Sequence, residues 1–337
     1  MNESETQEEE GTPGGSAPQA VATEPQHALA AVRAEVGKAV IGQDPAVWGL
    51  LAAFLVRGHV ILEGVPGVAK TLLVKALAHS LDLRFRRIQF TPDLMPSDVT
   101  GNVVFETRTG EYRFRQGPVF TNLLLADELN RTPPKTQAAL LEAMEERQVS
   151  IEGETHPLPD PFLVVATQNP VEYEGTYPLP EAELDRFLFK LKVGYPDRQS
   201  ERAVLRMHDE GKDPHDLASL GVRSVAGAAD LARGGRAVTG IDVADDVADY
   251  VLSLADETRR SPSLTLGVSP RGAAMLLVAA KAWAYLSGRT FVTPDDLKAL
   301  LKPAWRHRIV VRPEVELEGG TADSILDSVL QRVPVPR

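Results

Sequence analysis

The chain has 337 residues, 43% of them apolar, and no cysteine, which suits one large or two ordinary globular domains and excludes disulfides, thiolate metal sites and cysteine nucleophiles. No apolar run approaches the ~20 residues of a membrane helix, and the N-terminus lacks the basic start and apolar middle of a signal peptide, so a cytoplasmic protein without a membrane span is expected. The formal charge is −11, and residues 1–26 carry six glutamates and neither lysine nor arginine, so the rest is only mildly acidic and gives no encouragement to nucleic acid binding.

Residues 1–26, rich in Glu, Gly, Pro, Ser, Thr and Gln, are expected to be a disordered acidic tail. A helical pattern follows from Ala28 to Val40, then the turn Val40-Ile41-Gly42-Gln43 and a second helix from about Pro45 to Arg57. Ile41 and Gly42, just ahead of the next motif, fit either the core or a contact with an adenine base.

The organising stretch is Gly64-Val65-Pro66-Gly67-Val68-Ala69-Lys70-Thr71, between the apolar run His59–Leu62 and a helical pattern from Leu72 to Leu81. Strand, glycine-rich turn and helix is the context of a phosphate loop: backbone N–H groups and the helix N-terminus face one concavity, where a lysine and a hydroxyl-held Mg²⁺ complete an anion site. Ala69 stands where glycine is usual, which a near-helical backbone there would tolerate.

Arg86–Phe90 reads as a short strand. Thr91–Phe120 holds two extended runs, Val103–Phe105 and Tyr112–Phe114, around a turn at Thr109-Gly110, a first hairpin. Leu123-Leu124-Leu125-Ala126-Asp127-Glu128 is a buried strand that delivers two carboxylates to its C-terminal edge. A helix is expected over Pro133–Arg147, and Val149–Ile151 with His156–Leu158 forms a second hairpin. Phe162–Thr167 is a further buried strand ending in Gln168-Asn169-Pro170, where the asparagine is either a turn residue or an amide placed at the site. A helical piece, Glu181–Arg186, and a fifth strand, Phe187–Leu191, complete a parallel sheet covered on both faces, with the boundary at Tyr195-Pro196.

Beyond this boundary nothing reads as a strand. Helices are expected at Arg198–His208, Asp245–Thr258, Pro270–Leu286 and Pro294–Leu301, with at most a few helical turns in Gly211–Ala237. The division is an α/β core over residues 27–195, a small all-α domain over 196–312, and a C-terminal tail over 313–337 with a helix at Ala322–Arg332. Ser269-Pro270-Arg271-Gly272 opens a helix with an arginine at its start, an electrostatically poor place for a cation without an anionic partner.

The phosphate loop, Gln89-Phe90-Thr91-Pro92-Asp93-Leu94-Met95-Pro96-Ser97-Asp98, Gly117-Pro118-Val119-Phe120, Asp127-Glu128-Leu129-Asn130-Arg131 and Ala166-Thr167-Gln168-Asn169-Pro170 together resemble the MoxR family of AAA+ ATPases, over about Val36 to Val310. The resemblance implies a five-stranded AAA+ sheet, a helical lid, a helix-2 insert at the first hairpin and a pre-sensor hairpin at the second. It implies binding of ATP and Mg²⁺ by the loop through Leu72, with Lys70 on the β- and γ-phosphates and Thr71 and Asp127 on the metal. Glu128 would orient or deprotonate the attacking water, Asn169 would be sensor 1, and Arg186 an arginine finger for the neighbouring subunit in a ring, with a salt bridge to Asp185 or Glu183 as its plain alternative. Arg131 is a further candidate at that boundary. Arg271 resembles sensor 2, reaching the γ-phosphate of its own chain. By resemblance the oligomer is a hexamer and the partners carry von Willebrand factor A domains. Two alternatives are a magnesium or cobalt chelatase ATPase subunit and an ATP-dependent switch that scarcely hydrolyses. A helicase would want cations or aromatics at the hairpin tips, which here read Glu106-Thr107-Arg108-Thr109-Gly110-Glu111 and Glu152-Gly153-Glu154-Thr155.

Overall fold

The computed structural model describes residues 24–170 and 176–336; the expected tail therefore lies outside it except for residues 24–26, which are helical. In chain order the first half runs α1 (Glu24–Gly37), α2 (Asp44–Leu55), β1 (His59–Glu63), α3 (Lys70–Ser80), β2 (Phe85–Gln89), α4 (Pro96–Thr100), the hairpin β3 (Gly101–Glu106) and β4 (Glu111–Gln116), and β5 (Leu123–Asp127). Then come α5 (Pro134–Glu146), the hairpin β6 (Gln148–Ile151) and β7 (Glu154–Pro157), β8 (Leu163–Gln168), α6 (Glu181–Leu184) and β9 (Phe187–Lys192). The remainder is α7 (Arg198–Asp209), α8 (Ala228–Thr239), α9 (Asp245–Arg260), β10 (Leu264–Leu266), α10 (Pro270–Leu286), α11 (Pro294–Trp305), β11 (Val310–Val311), α12 (Pro313–Leu317) and α13 (Ala322–Arg332).

Five strands form one parallel sheet in the order β2-β5-β8-β1-β9. Because side chains alternate across a strand, each apolar run feeds two layers: Val60, Leu62, Leu125 and Val165 pack with α1–α3, while Ile61, Leu124, Ala126 and Val164 pack with α5. The parallel arrangement turns the C-terminal ends of β1, β5 and β8 to one edge, so Gly64, Asp127 and Asn169 become neighbours. The hairpins also touch, Phe114 of β4 stacking on His156 of β7 with ring centroids 4.2 Å apart. Near the tip of the first, Phe105 and Tyr112 pair at 5.1 Å and stay exposed.

His59 is buried in this sheet with both ring nitrogens engaged. Nδ1 accepts from the Val164 N–H at 3.0 Å, so the proton sits on Nε2, which donates to the Met144 carbonyl at 3.2 Å. Desolvation lowers its pKa from 6.5 to about 4. The unfolded chain therefore binds more protons below pH 6.5, and stability falls as pH drops from 6.5 towards 4 and levels off beneath. We expect this group to remove roughly 3 kcal/mol over that window, and His59→Gln to flatten the acid limb of denaturant-melt stability measured against pH.

The second half departs from the sequence expectation in three places. The end of Gly211–Ala237 belongs to a continuous helix, α8, which runs from Ala228 to Thr239 and is seated on α1, α2 and α10. Its glycines depress helix propensity, yet packing requires them: a Cβ on Gly234 would stand 2.7 Å from Leu55 Cδ2, and one on Gly235 2.9 Å from the Leu55 carbonyl. Two short strands, β10 and β11, make an antiparallel ribbon in what was expected to be purely helical. Finally, residues 313–336 do not hang free as a tail. Helix α13 buries Ile325, Leu326 and Val329, packs on α9 and α11, and carries Asp323, which accepts from Lys192 of β9 at 2.8 Å and forms an ion pair with Arg306 at 3.0 Å.

Candidate active site

At the end of β1 the chain turns sharply. Gly64 donates its N–H to the Gln168 carbonyl at 3.2 Å, and a Cβ there would lie 2.3 Å from the Val193 carbonyl oxygen, so only glycine fits. Gly67 has φ +87°, and Ala69, the residue just before α3, has φ +61° and ψ +25°. The expectation of near-helical dihedrals at Ala69 is thus corrected: its backbone is left-handed, a conformation that costs an alanine about 1–2 kcal/mol and a glycine almost nothing. Lys70 donates to the Gly64 carbonyl and lies 3.5 Å from that of Val65, so its ammonium spans the mouth of the loop.

A cavity of about 800 Å³ opens between this loop, the sheet edge and α7. Its polar lining is formed by Lys70, Thr71, Arg87, Asp127, Glu128 and Asn169. The lining also includes Ile41, Tyr195, Val204, Leu205, Met207 and His208, mostly apolar and aromatic side chains that could take a flat base beside the charged residues. Pro66, Gly67, Val68, Ala69 and Leu72 also face it, whereas Gly42, Gly64 and Val65 do not. Gly42 instead makes a positive-φ turn where a Cβ would meet Ser200 and Pro196.

The two acids are joined through a threonine that sequence reasoning did not single out. Thr167, buried on β8, donates its hydroxyl to Asp127 Oδ1 and accepts the Glu128 N–H at 2.9 Å. Arg87 on β2, also unanticipated, donates from Nε at 3.0 Å and from Nη2 at 2.6 Å to Asp127 Oδ2. Both contacts follow from strand pairing, β2 beside β5 and β5 beside β8, with alternation placing Arg87 and Thr167 towards the aspartate; that alternation was the available signal. Glu128 itself has φ +55°, which turns it off the strand, and its Oε2 accepts from Arg131 Nη1 at 3.0 Å. Such strain in a non-glycine residue costs of order 1–3 kcal/mol and is characteristic of residues with a chemical role.

Among the described residues no group of three or more His, Asp or Glu side chains could hold a metal by itself. The oxygens present, the Thr71 hydroxyl and the Asp127 carboxylate, nonetheless suit Mg²⁺, a hard ion that keeps several waters and takes phosphate oxygens to fill its shell. Arg87 occupies one Asp127 oxygen, so a metal or its water would share that carboxylate with a guanidinium.

Arg186 and Arg271 lie elsewhere. Neither lines the cavity. Both pair with Glu145 at the end of α5: Arg186 Nε at 2.8 Å from Oε2, and Arg271 Nη1 at 3.2 Å from Oε1. The salt bridge foreseen for Arg186 with Asp185 or Glu183 is replaced by this one. Arg271, expected at the phosphates of its own chain, is here held by Glu145 at the start of α10 and does not line the cavity.

Comparison with known proteins shows which family has this sequence and fold. Residues 59–189 fit the family model described as ATPase family associated with various cellular activities, and residues 256–329 an AAA lid domain. An uncharacterized Bacillus subtilis protein, YeaC, is 47% identical over 89% of this chain and 92% of its own length. A crystal structure from Cytophaga hutchinsonii superposes with a TM-score of 0.85 at 39% identity, covering 93% of this chain and 96% of that one. Chaperone MoxR1 of Mycobacterium tuberculosis is 41% identical over 97% of this chain and 87% of its own length. Protein MoxR of Methylorubrum extorquens is 33% identical over 94% of this chain and 98% of its own length.

The chain belongs to the MoxR family of AAA+ ATPases. Family membership accounts for the phosphate loop, the cavity beneath α7 and the α/β core followed by a helical lid. Among the described residues no helix of this MoxR-family chain is long and apolar enough to cross a membrane.

Proposed function

We propose that this MoxR-family chain hydrolyses ATP to ADP and phosphate, with Mg²⁺, in the cytoplasm, as a closed ring that remodels or matures partner proteins. The observation that carries the reading is the separation of parts. One chain holds a cavity with a lysine, two linked acids and an amide, but its two candidate catalytic arginines do not line that cavity and pair with Glu145 instead. Each chain then completes the cavity of the next, and assembly becomes part of the chemistry.

In this scheme the loop N–H groups and Lys70 hold the β- and γ-phosphates, and Ile41 with the other apolar lining residues takes the base. Thr71 and Asp127 hold Mg²⁺, which neutralises charge on the phosphate oxygens. Glu128 accepts the proton of the attacking water or orients it, its carboxylate released from Arg131. Asn169 bridges that water and the terminal phosphate. Arg186 and Arg271 of one chain then stabilise charge on the phosphate bound by its neighbour. A homohexamer, and partners with von Willebrand factor A domains, follow from the family resemblance. The exposed Phe105–Tyr112 pair gives the first hairpin an apolar contact for such a partner.

Mixing two inactive variants tests the split site. Glu128→Gln spoils a chain's own cavity and leaves its arginines; Arg186→Ala does the reverse. We expect an equimolar mixture to release phosphate faster than either alone. A mixture no faster than its components would remove the shared-site reading.

A further inference from the structure

Glu145 sits where two cations from distant parts of the chain converge. Arg186 comes from the junction of α6 and β9, and Arg271 from the first turn of α10, yet each guanidinium meets a different oxygen of this one carboxylate. Like charges brought so close repel, and a helix N-terminus disfavours a cation further, so the pair needs an anion between them to stay together. As a contribution to stability the arrangement is weak, since all three side chains are 30–45% exposed and solvent screens exposed ion pairs. Its geometry is better explained by aim than by energy.

A second carboxylate fixes the same two elements from below. Asp185, next to Arg186, accepts from the nearly inaccessible Arg308 through Oδ1 at 2.7 Å and from Ser269, the N-cap of α10, through Oδ2 at 3.1 Å. Arg308 also donates to the carbonyls of Asp185 at 3.1 Å and Phe187 at 2.6 Å. The backbone that carries Arg186 and the helix start that carries Arg271 are thereby one rigid unit. Only the two guanidinium ends are left to be set, and Glu145 sets them.

On the proposed reading that these arginines serve the neighbouring chain, we infer that Glu145 is a positioning residue, whose carboxylate holds Arg186 and Arg271 side by side as a single two-pronged clamp for the terminal phosphate of that neighbour's nucleotide. The carboxylate holds one guanidinium on each oxygen, and all three side chains stay partly exposed, so the ends of the prongs remain accessible. Glu145 touches neither nucleotide nor metal of its own chain; it acts through the two arginines.

The test is hydrolysis and nucleotide binding by full-length Glu145→Ala and Glu145→Gln. Misplacing a reacting group by an ångström costs on the order of 10²-fold, and we expect a loss of that size with Ala and a smaller loss with Gln, which keeps the shape without the charge. Affinity for a fluorescent ATP analogue should be unchanged. The decisive arm is complementation: Glu145→Ala mixed with Glu128→Gln, whose arginines are intact, should regain activity, whereas Glu145→Ala mixed with Arg186→Ala should not. A merely structural role would lower nucleotide binding and would not be rescued. Wild-type or faster hydrolysis by Glu145→Ala overturns the inference, as does failure of its mixture with Glu128→Gln under conditions where Arg186→Ala with Glu128→Gln succeeds. Failure of that last control mixture would instead strike the shared-site reading itself.

Discussion

Glu128→Gln is expected to bind ATP as tightly as the wild type and to release phosphate about 10²- to 10⁴-fold more slowly, the usual contribution of a positioned general base. The substitution keeps the side chain's volume and leaves an oxygen to accept from Arg131, so the turn at φ +55° and the Thr167 contact survive. What is lost is basicity at Glu128, which neither Arg87 nor the Thr167 hydroxyl engages. Asp127 cannot replace it, because both its oxygens are already held. Phosphate release alongside equilibrium binding of a fluorescent nucleotide separates the two effects. Equal rates for variant and wild type would leave a binding switch as the better description.

Arg186→Ala is expected to cost about 10³- to 10⁵-fold in turnover, the range known for arginine fingers, with nucleotide affinity nearly unchanged because the residue is remote from its own chain's cavity. Stability should hardly move, the partner being a partly exposed glutamate. Arg271→Ala should follow the same pattern, losing turnover and keeping affinity. Titration of each variant with a fluorescent nucleotide, beside steady-state phosphate release, decides. Weakened binding by the Arg271 variant would return that residue to its own chain's phosphates.

The phosphate loop and the acidic strand were legible because each is a local pattern whose meaning does not depend on distant residues. The same holds for β1, β5, β8 and β9, each a largely apolar run bounded by turns, whereas β2 is a mostly polar, exposed edge strand. Where the fold escaped the sequence, the deciding contact lay far along the chain. Helix α8 reads as no more than a few helical turns because Gly234 and Gly235 lower helix propensity, and only the proximity of Leu55 shows why they are needed. Ala69 could be accommodated by either hand of helical backbone, and its side chain does not say which. Arg87 and Thr167 read as ordinary strand residues until pairing brought them to Asp127. Arg271 stood out as a candidate by its place at a helix start, but its partner, Glu145, lies 126 residues away and is set by tertiary packing. The ribbon of β10 and β11 was too short to show any alternation.

The shared hydroxyl of Thr167 has a consequence for how this chain can change. Because the same oxygen steadies the candidate metal-binding carboxylate and fixes the backbone of the candidate base, loss of that hydroxyl would loosen both together. A variant that weakens magnesium binding alone, or water activation alone, has to arise at another position; here the two traits are inherited as one.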